Sequence, residues 1–376
     1  MKKRTQNILR FTSFGMFAIA AISLVSQYFF WSLGPETTAY GTFYKEEKDS
    51  LDLVMVGSST VRDGFIPMEC YKQTGITSHS IVSSPTHLEV IEIAIKEIAR
   101  TQNPKVVYID LNGLNNQTKA DAPIFVKDYY SSMPDDNETK NVKEELRKKY
   151  DYLTDVSEWE PFKGHNSFRQ QVYWESFVYN AQFYTKGYYP NPTSKPTEVS
   201  PVDKSKTEAL SSDAKTYLNE ILGICKEFPD IHFLFGQMPR YLSSTIASFD
   251  AYQKHASLDA YYMVKSAKPL VEESGYTFLD YGDPEFLKNT LGLDPEKDQY
   301  DAEHLNHGGA LKFTKYFSDY LLTNFFGGEK PAHSEEVTED FDKSYKEYRK
   351  IVKKAEKKLG INSLVHVRDK SASELV

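Results

Sequence analysis

Five short apolar runs, alternating with segments of helical periodicity, constrain this chain more than any other feature. They are Leu51-Asp52-Leu53-Val54-Met55-Val56-Gly57, Ser80-Ile81-Val82, Lys105 to Leu111, Ile231 to Phe235 and Tyr276 to Asp280. Runs this short and this apolar read as strands buried on both faces. Helical patterns fall over about 67–74, 88–100, 211–228, 246–273 and 308–326. In the second of these the apolar residues sit at 88, 90, 91, 94, 95 and 98, the stripe of an amphipathic helix, and Pro104 closes it. This order predicts a three-layer α/β/α domain with a mostly parallel sheet, spanning about residues 51–330.

The alternation breaks off between about residues 113 and 205, where Tyr, Trp, Asn, Pro and Lys dominate. This reads as an insertion with helix at about 141–150 and 167–185 and a Pro-rich loop at 190–201. After the last core helix, residues 331–376 form a charge-dense C-terminal region. Phe341, Tyr345, Tyr348, Ile351, Ala355 and Leu359 keep helical spacing there, which predicts a helix with one stripe docked on the domain or on a partner.

The N-terminus bears on the compartment. Lys2, Lys3, Arg4 and Arg10 precede a run of 23 residues, Phe11 to Leu33, without a charge. At about 1.5 Å per residue a helix of that length spans a hydrocarbon core of about 30 Å. The basic flank places the N-terminus in the cytoplasm and everything after the span outside, behind a short stalk at 34–50. Bulky aromatics at Tyr28–Trp31, where a cleaved secretory signal would carry small residues, favour an uncleaved anchor. The expected localisation is therefore the cell membrane, single-pass, with the globular part extracellular.

Charge and cysteine content narrow the function. Lys and Arg number 45 against 53 Asp and Glu, a net charge of −8, which argues against a nucleic-acid partner. Two cysteines, Cys70 and Cys225, can build neither a disulfide framework nor a four-thiolate zinc site.

Two motifs carry chemical signal. Gly57-Ser58-Ser59-Thr60 lies directly after the first strand, and ligands of open parallel sheets bind at the carboxyl ends of strands. A serine on that turn can present its hydroxyl to the crevice, but Gly and Ser also populate ordinary turns. The second motif is Asp301-Ala302-Glu303-His304-Leu305-Asn306, just before the last core helix. Asp and His three apart can pair, leaving the other imbidazole nitrogen outward as a general base, which a serine nucleophile needs. Glu303, His304 and His307 also suggest metal ligands, but no further His or Cys cluster completes a set, so none is assigned.

Taken together, "DLVMVGSSTVRDGF" and "DAEHLNHGGALKFTKYFSDYL" resemble the first and last blocks of the SGNH/GDSL hydrolase-like superfamily, over about residues 51–326. The resemblance implies a flavodoxin-like sheet and a Ser-His-Asp triad of Ser59, His304 and Asp301, with Ser58 standing where the family has aspartate. It implies oxyanion donors at the Ser59 N–H and at Asn112, and no cofactor. The middle blocks depart from the pattern: Ser80 to Pro85 holds no glycine, and Asp110-Leu111-Asn112-Gly113 replaces Gly-x-Asn-Asp.

The anchored layout is similar to envelope members of the superfamily, namely polysaccharide O-acetyltransferases and esterases and the D-alanyl-lipoteichoic acid transfer protein. It implies an extracytoplasmic serine acyltransferase or esterase. The partners would be a cell-envelope polysaccharide or teichoic-acid-like polymer and a membrane acyl-donor protein. Trp159, Trp174 and the aromatics of 179–189 would stack on sugar rings, with plain packing as the other reading. The alternative function is a non-catalytic envelope scaffold that kept the fold.

Overall fold

The computed structural model describes residues 10–22, 40–82, 87–115, 122–134, 136–154, 182–196, 198–244 and 256–359. Five strands form one sheet: β1 (Leu53–Gly57), β2 (Ser78–Val82), β3 (Val106–Asp110), β4 (His232–Gln237) and β5 (Thr277–Asp280). Their order is β2-β1-β3-β4-β5 and every pairing is parallel. The expected mostly parallel α/β sheet is therefore present, and each predicted run became a strand.

Alternate side chains explain why the three inner runs, β1, β3 and β4, are so apolar. Val54 and Val56 of β1, Val107 and Ile109 of β3, and Phe233 and Phe235 of β4 enter one core cluster. There they meet Ile91 and Ile95 of α3 (Leu88–Thr101), Leu218 and Leu222 of α6 (Ser212–Cys225), and Val264 and Val271 of α7 (Ser257–Glu273). Leu53, Met55, Val106, Tyr108 and Leu234 point the other way. They pack on Val61 of α1 (Ser59–Gly64), Cys70 of α2 (Pro67–Thr74), and Phe313 and Phe317 of α8 (His307–Phe325). Helices thus cover both faces. Cys70 and Cys225 lie in different clusters, and both are free, buried thiols.

Much of the aromatic segment is built into this domain. Helices α4 (Ala122–Ser132) and α5 (Asn137–Lys149) lie within it, and only the second was expected. Of the helix predicted at 167–185, only Gln182–Thr185 falls within the described residues. Lys186 and Tyr188 are fully buried. The Lys186 ammonium donates to both Glu46 oxygens at 2.8–2.9 Å and to Asp340 at 2.8 Å. That ionic cluster ties the segment to residues before β1 and to α9 (Glu335–Leu359). On α9 the expected stripe faces the domain: Phe341 and Tyr348 are buried, and Phe341 packs its ring on Tyr71 of α2 at 5.1 Å.

At the N-terminus the described residues include a helix over 10–22, with Phe11, Phe14, Phe17 and Ile19 exposed. The rest of the expected 11–33 span lies outside the described residues. Among those described, no helix is long and apolar enough to cross a membrane.

Candidate active site

Parallel strands bring their carboxyl ends to one edge of the sheet, and the segments leaving that edge carry the predicted residues. The β1–β3 junction, where the strand order reverses, is the switch point of this topology. Gly57 ends β1 beside Asp110, the last residue of β3. A Cβ at Gly57 would lie 2.4 Å from Val61 Cγ2 and 2.7 Å from Asp110 Cβ. Only glycine lets the chain turn this tightly into α1.

The two serines of the turn do different things. Ser58 is buried, and its Oγ caps α1 by accepting from the Thr60 N–H at 3.3 Å. The same Oγ donates to Asp110 Oδ2 at 3.3 Å, and Thr60 Oγ1 donates to that oxygen at 2.8 Å. Ser58 therefore has a local structural task. Ser59, half-buried, turns its hydroxyl outward to His304 Nε2 at 2.6 Å, across 245 positions of sequence.

His304 is held from two sides. Its Nδ1 lies 2.9 Å from both carboxylate oxygens of Asp301. Asp301 Oδ1 also accepts from the backbone N–H groups of Glu303 at 2.7 Å and His304 at 2.8 Å, which locks the Asp-x-x-His turn. The carboxylate side fixes the tautomer: Nδ1 donates to Asp301, so in the neutral ring Nε2 accepts from Ser59. On the ring face, Tyr300 stacks within 7° of parallel at 5.3 Å. Tyr300 donates its hydroxyl to Asp63 at 2.6 Å, and Arg62 pairs with Asp63 at 2.8 and 3.0 Å.

The electrostatics follow from these partners. Burial pushes the His304 imidazole toward its neutral form. The Asp301 hydrogen bond and charge, with the Asp63 charge, outweigh it and leave the pKa above 6.5. Burial likewise pushes the Asp301 carboxyl up. Its bonds to His304 and the two N–H groups prevail and hold it below 3.8. Burial raises the Asp110 carboxyl, with the Thr60 hydroxyl and the Arg240 charge opposing.

Asn112 sits in the 3₁₀ turn that follows β3, its N–H on Asp110 Oδ1 at 3.3 Å. Its Oδ1 accepts from Arg240 Nη2 at 2.7 Å. Arg240 lies just past β4, is buried, and pairs through Nη1 with the buried Glu303. The Ser59 N–H carries no hydrogen bond among the described residues, while the next N–H is taken by Ser58. Ser59, Asp301 and His304 thus converge, and Asn112 stands on the neighbouring strand end. Trp159, Trp174 and residues 83–86 lie outside the described residues.

Glu303, His304 and His307 do not share a point. His307 is fully buried with Nδ1 against the Tyr188 hydroxyl at 2.7 Å, while Glu303 faces Arg240. Arg240, Asp63 and Tyr300 were not singled out from the sequence. Position was the available signal: Arg240 follows a strand by three residues, and Tyr300 precedes the Asp-x-x-His turn.

No protein-family model and no curated protein matches the chain. One solved structure is distantly similar, a gut microbial diltiazem-metabolizing enzyme, at 10% identity and a TM-score of 0.35. The match covers 73% of this chain and 48% of that one, so the chain spans about half the length of its structural neighbour.

Proposed function

We propose that this chain is an SGNH-like serine acyltransferase or esterase of the cell envelope, anchored by its N-terminal segment. The substrate class is an O-acylated polysaccharide or teichoic-acid-like polymer, with a membrane acyl-donor protein as partner if the acyl group is transferred. The observation that carries the reading is the Ser59–His304–Asp301 relay, with 2.6 Å between Ser59 Oγ and His304 Nε2 and 2.9 Å between His304 and Asp301.

In this reading Ser59 Oγ attacks the acyl carbonyl while His304 Nε2 takes the hydroxyl proton. The carbonyl π pair moves onto oxygen, which the Ser59 N–H and the Asn112 amide stabilise. Collapse breaks the bond to the leaving alkoxide, which takes the proton back from His304 and departs as an alcohol. The acyl group stays on Ser59. A sugar hydroxyl or water, deprotonated by His304, then attacks that ester and frees Ser59. Asp301 stays ionised throughout, orienting the ring and stabilising the imidazolium.

A scaffold would have no need for an outward serine aligned on an oriented imidazole, which weighs against the non-catalytic alternative. The test is turnover of p-nitrophenyl acetate by the purified full chain, with Ser59→Ala and His304→Ala as controls. Wild-type turnover lost in both variants supports the reading, and turnover unaffected by Ser59→Ala overturns it.

A further inference from the structure

Arg240 makes a bridge that the triad does not require. One guanidinium nitrogen donates to Asn112 Oδ1 at 2.7 Å, the other to Glu303. Arg240 and Glu303 are 3% exposed, too enclosed to meet a substrate directly. Guanidinium has only donors, so an amide facing it must present its oxygen. That contact decides which way the Asn112 amide points: with Oδ1 on Arg240, the Nδ2 donor is turned to the opposite side. The Asn112 backbone shares the Asp110 carboxylate with Ser58 and Thr60, so it is fixed next to the nucleophile turn. Glu303 lies between Asp301 and His304 in sequence, and its backbone N–H is one of the donors locking that turn. One buried ion pair therefore joins the strand end bearing Asn112 to the loop bearing the base.

We propose that Arg240 is a positioning residue: it sets the Asn112 amide with Nδ2 toward the developing oxyanion, and through Glu303 it holds this donor in register with His304. This rests on Ser59 being the nucleophile. Arginine suits the task because its planar fork serves both partners at fixed spacing, whereas a lysine ammonium at this position would satisfy one and release the other. The loss should appear in kcat rather than KM, because the donor's partner, the oxyanion, exists only in the transition state.

The experiment is a double-mutant cycle in the full chain, read as kcat and KM on p-nitrophenyl acetate. Asn112→Ala should lower kcat by about 10²–10³-fold, the usual cost of one oxyanion donor. Arg240→Lys should lower kcat by at least about 10-fold with KM little changed, and should cost less than about twofold when Asn112 is already Ala. If Arg240→Lys fails to fold, Arg240→Leu/Glu303→Leu replaces it. Buried ion pairs are often exchanged for apolar residues of similar volume without loss of stability, so this variant should fold. It should show the same kcat loss, again absent in the Asn112→Ala background.

Wild-type kcat in Arg240→Lys, or an equal loss with and without Asn112, overturns the positioning role. So does an Asn112→Ala variant with full kcat. Labelling of Ser59 by a fluorophosphonate, measured on the same samples, separates the two claims. Normal labelling with any of those results removes only the positioning role, whereas a wild-type chain that neither labels nor turns over removes the Ser59 reading and this proposal with it.

Discussion

Gly57→Ala is the smallest change that should disturb both the fold and the site. The added methyl would sit 2.4 Å from Val61 Cγ2 and 2.7 Å from Asp110 Cβ. Carbon atoms rest at about 3.5–4.0 Å, so relief needs a shift of roughly 1 Å in α1 or in the end of β3. Both are packed: Val61 is fully buried, and so is Asp110. Overpacking of this kind costs about 1–3 kcal/mol. For a domain of roughly 300 residues about 1.6 °C of Tm is lost per kcal/mol, so melting should fall by about 2–5 °C. Any shift of α1 carries Ser59 with it, and a displacement of about 1 Å at a reacting group can lower kcat by about 100-fold. The assays are thermal melting by circular dichroism and p-nitrophenyl acetate turnover. Gly41→Ala, whose added methyl would meet nothing within 4 Å, is the matched control. A Gly57→Ala protein with wild-type Tm and kcat would refute the argument that this corner positions the nucleophile.

Three further outcomes follow from the ionisable groups. Lys186→Met leaves Glu46, 2% exposed, without its cation, and should destabilise by about 3–5 kcal/mol in urea titrations. Adding Glu46→Leu should restore most of that, and no recovery would contradict the assignment of the loss to an unpaired carboxylate. His304 accepts a proton only when neutral, and its partners hold its pKa above 6.5, so kcat/KM should rise through an acid limb centred above pH 6.5. Asp301→Asn should move that limb to lower pH while reducing the plateau, and a limb that stays in place would exclude His304 as the group observed. His307 is pushed down to about 3, chiefly by burial and then by the Arg349 charge. Between pH 3 and 6.5 the unfolded chain binds a proton there that the folded chain refuses. The contribution is full above pH 6.5 and lost as pH falls. His79, pushed down to about 3, acts in the same sense, and Glu46, raised to about 7, acts against it between pH 4.5 and 7. His307→Gln should therefore flatten the fall of unfolding free energy by about 1.4 kcal/mol per pH unit between pH 6 and 4, and an unchanged slope would contradict the neutral assignment.

What could be read from the sequence were features set locally. The three inner strands β1, β3 and β4 declared themselves because they are covered on both faces and bury alternate residues in two clusters, whereas β2 and β5 showed only short apolar stretches, Ile81-Val82 and Phe278-Leu279. Ser59, Asp301 and His304 were legible because they lie in two short local motifs, one at the end of the first strand and one just before the last core helix. Arg240, Tyr300 and Asp63 were not, because their roles come from partners far away in sequence: Arg240 from Asn112 and Glu303, Tyr300 from Asp63. Helix α4 was hidden for a different reason. Phe125, Val126, Tyr129 and Tyr130 are all buried, yet Tyr and Lys scattered through the neighbouring sequence mask their periodicity. The segment ending at Tyr188 read as an insertion on composition. Its burial depends on Lys186 finding Glu46 and Asp340, which lie 140 residues before it and 154 residues after it.

The central claim is that Ser59 is an activated nucleophile, and its reaction with a fluorophosphonate probe tests that most directly. The full chain should be labelled on Ser59, located by mass spectrometry of the tagged peptide. Labelling should vanish in Ser59→Ala and in His304→Ala and largely survive in Ser58→Ala, whose hydroxyl is turned inward to Asp110. A folded wild-type chain that takes up no probe, or a label that persists in Ser59→Ala, would contradict it.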